Sequence, residues 1–135
     1  MKYLSFDALK GCTLEKIDGA FARSKEVIFT TTTGERYSMR HFQDCCETVE
    51  VEDVIGDVTD LIGSPILEAE EVSSSKGNEP REGNSESWTW TFYKIGTIKG
   101  HVTIRWLGES NGYYAEDVSF AKIAQTNLTA SHLSA

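Results

Sequence analysis

Between residues 88 and 106 the chain twice carries a period-two pattern of large side chains, and no other feature constrains its fold as much. Trp88, Trp90 and Phe92 alternate with Thr89, Thr91 and Tyr93, and Val102, Ile104 and Trp106 alternate with His101, Thr103 and Arg105. A period of two sends alternate side chains to opposite faces of a strand, so these runs predict antiparallel strands with Trp88, Trp90, Phe92 and Trp106 in the core. After the Glu-Ser-Asn-Gly turn, Tyr113–Phe120 predicts a third strand that completes a meander. Upstream, Cys12–Ile17 and Glu26–Thr32 are rich in β-branched and aromatic residues, and Thr33-Gly34-Glu35 predicts a hairpin turn into Arg36–Phe42. Thr48–Glu52 and Ile66–Val72 read as further strands.

Helical spacing is confined to two places. Ser5 is a candidate N-cap for a turn or two over residues 5–10, stopped by Gly11. Val54, Ile55, Val58, Leu61 and Ile62 recur at spacings of three and four, which predicts a short helix within Asp53–Gly63. The expected class is α+β and β-rich: antiparallel sheet or sheets with one or two short helices, in a single domain spanning 1–135. Residues 73–86, polar and rich in Gly, Pro, Ser and Asn, predict a flexible loop inserted between strands, and 124–135 a frayed tail.

Three Trp, five Tyr and six Phe in 135 residues suffice for one core. The N-terminal stretch lacks an apolar leader core, and no apolar run nears the roughly 18 residues needed to span a bilayer, so secretion and membrane insertion are not expected. Three cysteines, two of them adjacent, do not make a disulfide framework and point to a reducing compartment. The net charge of −8 counts against a nucleic-acid backbone binder and favours basic partners. That charge is localised. From His41 to Ser75 there is no Lys or Arg, while Asp44, Glu47, Glu50, Glu52, Asp53, Asp57, Asp60, Glu68, Glu70 and Glu71 are all acidic.

The sharpest chemical cluster is His41-Phe-Gln-Asp44-Cys45-Cys46-Glu47. An imidazole, two thiols and two carboxylates at a strand end predict a zinc site to which His41, Asp44, Cys45 and Cys46 contribute two or three ligands, with Cys12, His101 or another acid completing the tetrahedron. The competing reading makes the cysteines small buried hydrophobes; adjacent cysteines act together only if the backbone turns between them. A His41–Cys45 thiolate pair lacks a nucleophile turn or oxyanion hole to work with. The acids Asp53, Asp57 and Asp60 do not follow a calcium-loop pattern. As a surface, Glu47, Glu50, Glu52, Asp53, Asp57, Asp60, Glu68, Glu70 and Glu71 could occupy an Arg/Lys groove, the alternative being an ordinary solvated face. Tyr113 and Tyr114, just past Asn111-Gly112, are placed to be presented by a loop as interface residues. Signatures of hydrolases, nucleotide-binding loops, metalloproteases and deaminases are missing, so no catalytic residues are assigned.

The blocks H-x-x-D-C-C-E, at His41–Glu47, and W-x-G-E-S-N-G-Y-Y, at Trp106–Tyr114, resemble a family of small proteins of tailed bacteriophages and prophages, over about residues 35–118. The resemblance implies phage origin, expression in bacterial host cytoplasm and an accessory role. By analogy with small acidic phage proteins, it further implies an anti-CRISPR type of inhibitor: a non-enzymatic binder of a host protein with a basic nucleic-acid-binding surface, such as a Cas nuclease, with a structural zinc. The alternatives are a small metal-dependent enzyme using His41, Cys45 and Cys46, and a phage structural or assembly component.

Overall fold

The structure, a computed structural model, describes residues 2–74, 80 and 86–124. Two antiparallel sheets make up the fold. The first holds β1 (Lys2–Tyr3), β2 (Leu14–Asp18), β3 (Glu26–Thr31), β4 (Arg36–Arg40) and β9 (Ser119–Ile123), in the order β1-β9-β4-β3-β2. The second holds β5 (Thr48–Ile55), β6 (Glu68–Ser74), β7 (Ser87–Thr97) and β8 (Gly100–Ser110), in the order β5-β8-β7-β6. Among the described residues the helical content is two single 3₁₀ turns, η1 (Phe6–Leu9) and η2 (Val58–Leu61). The molecule is therefore β-rich as expected, while the helical share of the α+β class shrinks to these turns. No helix is long and apolar enough to cross a membrane among the described residues.

One hydrophobic cluster joins the inner faces of both sheets. Phe29 and Met39 come from the first sheet, Val51, Ile104 and Trp106 from the second. Trp106 is fully buried, and its indole N–H donates to the Met39 sulfur at 3.1 Å across the sheet-to-sheet gap. Phe6, carried in by η1, sits edge-on to Phe29, Tyr93 and Phe120, with centroids 6.2, 4.7 and 5.2 Å away. Each fully buried large side chain of this kind contributes roughly 1.5–3 kcal/mol of transfer free energy. Ser5 occupies the N-cap position of η1, but its side chain makes no capping bond.

The predicted hairpin between β3 and β4 forms, with Val27 opposite Met39 and Phe29 opposite Tyr37. Three other expectations are corrected. The segment read as a helix over 53–63 is the end of β5, past a bulge between Val51 and Asp53, then Gly56, then η2. Gly56 sits at φ +112°, and a Cβ there would lie 2.5 Å from the His101 carbonyl oxygen, so the chain must leave the strand at a glycine. The strand expected at 113–120 begins only at Ser119, and it pairs in the first sheet with β4 and β1; the meander of the second sheet is β6-β7-β8.

The third correction is the tryptophan stripe. Trp106 is core, but on β7 the buried side chains are Thr91, Tyr93, Ile95 and Thr97, of the opposite parity. Trp88, Trp90 and Phe92 are half-buried on the outer face, where they lie opposite Glu109, Leu107 and Arg105 of β8. Arg105 stacks over the Trp90 ring, 5.6 Å from its centroid. Of the loop expected at 73–86, Ser73 and Ser74 belong to β6, while 75–79 and 81–85 lie outside the described residues, as do 125–135 of the expected tail.

Candidate functional site

His41–Glu47 is the crossing from β4 in the first sheet to β5 in the second. Its centre is Glu47, predicted at the partner surface but buried at 3% exposure. The Glu47 carboxylate accepts hydrogen bonds from His41 Nε2 (2.8 Å), the Asp44 amide (2.9 Å), the Cys45 amide (2.8 Å) and Gln43 Nε2 (3.2 Å). Gln43 Nε2 also donates to the Glu47 carbonyl at 2.6 Å. The His41 hydrogen bond, helped by the Cys45 and Asp44 amides and opposed by burial, holds the Glu47 carboxyl down at about 2.

His41 Nδ1 lies 2.7 Å from the Asp117 carbonyl oxygen. Both ring nitrogens thus face oxygen atoms, one on each side of the ring. Asp117 belongs to the return crossing, from β8 back to β9, so His41 ties the two inter-sheet crossings to each other.

The second motif block builds that return crossing. A Cβ at Gly108 would lie 2.4 Å from the Glu116 carbonyl oxygen, so only glycine lets the segment fold back onto β8. Glu116 accepts from Thr89 Oγ1 at 2.7 Å and from the Ser110 hydroxyl, and Asn111 Oδ1 accepts from the Tyr113 amide at 2.9 Å. Tyr113 is 81% exposed, with the Tyr114 ring edge-on to it at 5.0 Å. Both are presented by this loop, and three residues past the second block Asp117 meets His41 of the first.

The proposed zinc ligands are not assembled into a coordination sphere. His41 spends both nitrogens on Glu47 and Asp117, and Cys45 and Cys46 are joined to each other as a disulfide between sequence neighbours, where separate thiols were expected. The backbone does turn at these cysteines, which are exposed and not buried hydrophobes. The exposed Asp44 contributes its amide to Glu47. Among the described residues no group of three or more His, Cys, Asp and Glu is arranged to hold a metal ion. Cys12 donates weakly to the Ala8 carbonyl, and His101 faces Glu68 at 3.1 Å, each in a different place from His41.

The remaining acids separate into three groups. Glu50, Glu52 and Asp53 lie on β5, where Lys25 approaches Glu50 at 3.6 Å and Arg105 pairs with Glu52 and, at 3.6 Å, with Asp53. Asp57 N-caps η2 by accepting from the Thr59 amide (3.0 Å) and hydroxyl (2.6 Å), bonds that hold its carboxyl below the usual range. Asp60, in the same turn, accepts through its carbonyl from Thr97 Oγ1. Glu68, Glu70 and Glu71 lie on β6, at the opposite edge of the sheet from β5.

At that β6 edge a cleft of about 630 Å³ opens between the sheets, lined by Glu68, Glu70, Glu71, Asp7 and Lys10 among others. Tyr93 lies at the register position opposite Glu71, and burial with that neighbouring carboxylate pushes its phenol up. Asp7 and Lys10 escaped the sequence reading because nothing local in η1 links them to acids some sixty residues away.

A family model for a domain of unknown function, DUF7448, matches residues 7–120, from η1 into β9, and so takes in both motif blocks and the cleft lining from Asp7 onward. The chain belongs to this family. The DUF7448 description assigns no activity. No curated protein and no solved structure matches the chain.

Proposed function

We propose that this DUF7448 protein is a non-catalytic binding module that engages a positively charged surface of another protein, with the β6 flank of the second sheet as its working face. In the phage setting that the sequence resemblance implies, the partner is a host defence effector with a basic nucleic-acid channel, and the protein acts as an anti-CRISPR type of inhibitor. One observation carries the choice of face. Of the acids between Asp44 and Glu71, Glu47 is buried, Asp57 caps a turn, and the β5 group is paired to Lys25 and Arg105. Glu70 and Glu71 are exposed beside Asp7, with Lys10 as the one cation lining the cleft among the described residues. Lys94 stands opposite Glu70 on β7 and His101 lies 3.1 Å from Glu68, while Glu71 and Asp7 share the cleft with Lys10; the surplus of carboxylate that remains there steers encounter and selects basic surfaces.

The test is DNA cleavage by host Cas nucleases titrated with the protein. Wild type is expected to inhibit, the triple variant Glu68→Lys, Glu70→Lys, Glu71→Lys to lose inhibition, and the triple variant Glu50→Lys, Glu52→Lys, Asp53→Lys to retain most of it. The opposite ranking would move the working face to β5, and absence of inhibition by wild type would end the inhibitor reading.

A further inference from the structure

Deepening that reading and resting on it, we infer that the β6 edge captures an extended, lysine- or arginine-bearing segment of the partner by strand addition. The argument starts from which residues line the cleft. Glu68, Ala69, Glu70 and Glu71 are consecutive, and all four line it. Successive side chains of a strand point to opposite faces, so a cavity that touches four in a row borders the edge of the strand and not one of its faces.

That edge is unpaired among the described residues: β6 ends its sheet, with β7 on one side only. Across the cleft, Tyr3 and Leu4 belong to or adjoin β1, which ends the other sheet in the same way. The cleft thus lies between the two end strands with η1 packed beside β6, and β6 itself has a strand on one side only among the described residues. Such an edge is a template for a further strand, which takes its affinity from main-chain hydrogen bonds and its specificity from alternate side chains.

Charge selects the occupant. With Glu68 and Glu70 on one face of the strand, Glu71 on the other and Asp7 across the cleft, an incoming strand meets carboxylates on both of its faces, in excess of Lys10 in the cleft and Lys94 opposite Glu70 on β7. Lys or Arg in a cross-strand position opposite these acids is favourable, whereas like charges directly opposite are destabilising. Like charge also disfavours a second copy of this chain pairing β6 with β6, since three of the seven residues of each strand are glutamates. A cleft of about 630 Å³ also falls in the size range of bound-ligand sites, roughly 300–1,000 Å³.

The experiment uses the full chain and a synthetic peptide of about ten residues alternating Lys and Val, a usual strand length. It is compared with the same peptide N-methylated at every second residue on one edge, then on the other, and with a version carrying Glu for Lys. Calorimetry gives affinity, and amide hydrogen exchange read over β6 gives the site. The inference expects the Lys peptide to bind, to slow exchange in Glu68–Ser74, and to lose about tenfold or more in affinity when the edge facing β6 is methylated, since each lost main-chain bond costs about 1 kcal/mol. The Glu peptide is expected not to bind.

Binding that is indifferent to methylation of either edge, with β6 exchange unchanged, overturns strand addition yet leaves a basic partner on an acidic face standing. Failure of the Lys peptide to bind at all overturns the inference, and if the Cas titration also shows no inhibition the underlying reading falls with it.

Discussion

The two long edges of the second sheet are built from the same residue types and do opposite things with them. On β5, Glu50, Glu52 and Asp53 are matched by Lys25 and Arg105, and Glu47, just before the strand, is drawn inside and surrounded by donors. On β6, roughly 14 Å away at about 4.8 Å per strand, Glu68, Glu70 and Glu71 face a cleft that adds Asp7. The contrast teaches that an acidic run in a sequence is no unit of function. Where a carboxylate is enclosed by backbone amides and an imidazole it organises backbone, and where it lines a gap shared with other carboxylates, with His101 and Lys94 approaching only Glu68 and Glu70, a surplus of its charge faces the surroundings.

The strongest way to break this comparison is to remove one acid from each side. Glu47→Ala should strand the Asp44 and Cys45 amides and His41 without their acceptor, lowering the melting midpoint by about 5–10 °C. Glu70→Ala, at an exposed position, should move the midpoint by no more than about 2 °C. Equal shifts in calorimetry would show that the corner at Glu47 is not the structural side of the pair.

Acid titration sharpens the same point. The Glu47 carboxyl is depressed to about 2 in the folded state, against an ordinary 4.5, so its contribution is fully present above about 4.5 and is lost as pH falls toward 2. Urea unfolding between pH 5 and pH 2.5 should show stability falling with acidity, and Glu47→Gln should flatten that slope while Glu70→Gln keeps it. An unchanged slope in Glu47→Gln would assign the acid sensitivity elsewhere.

Metal content is a third probe of the corner. With both His41 nitrogens held by Glu47 and Asp117, protein purified without an affinity tag should carry far less than about one zinc per chain by elemental mass spectrometry. Stoichiometric zinc, lost in His41→Ala and Cys45→Ser, would replace the hydrogen-bonded clasp with a metal site. The smallest effect is expected on the β5 flank: Arg105→Ala should cost no more than about 1 kcal/mol, since its pairs with Glu52 and Asp53 are partly exposed. By unmasking those acids it should also make β5 behave more like β6 toward a basic peptide, a gain readable by calorimetry.

Much of the sheet structure was legible because alternation and turn chemistry are local. The β3–β4 hairpin and β8, with Val102, Ile104 and Trp106 inward, follow from pattern alone. The β7 run misled because large side chains sit on both parities; Lys94, of the same parity as Trp88, Trp90 and Phe92, was the signal that this parity faces outward. The apparent helix at 53–63 arose from apolar residues on either side of Gly56, whose conformation depends on the distant His101 carbonyl. The H-x-x-D-C-C-E cluster marks a place where side chains converge, and its arrangement includes Asp117, 76 residues from His41. That contact has no local trace, and neither does the approach of Asp7 to β6.

The order β1-β9-β4-β3-β2 places the last described strand in the interior of its sheet, flanked by the first strand and the fourth. A growing chain therefore can lay down β2, β3 and β4 early, yet β1 has no neighbour to pair with until residues 119–123 have been synthesised. Completion of the first sheet waits on the synthesis of residues 119–123, and a fragment stopped after β8 would carry an unfilled slot beside β4, a site where a synthetic β9 peptide could restore the whole.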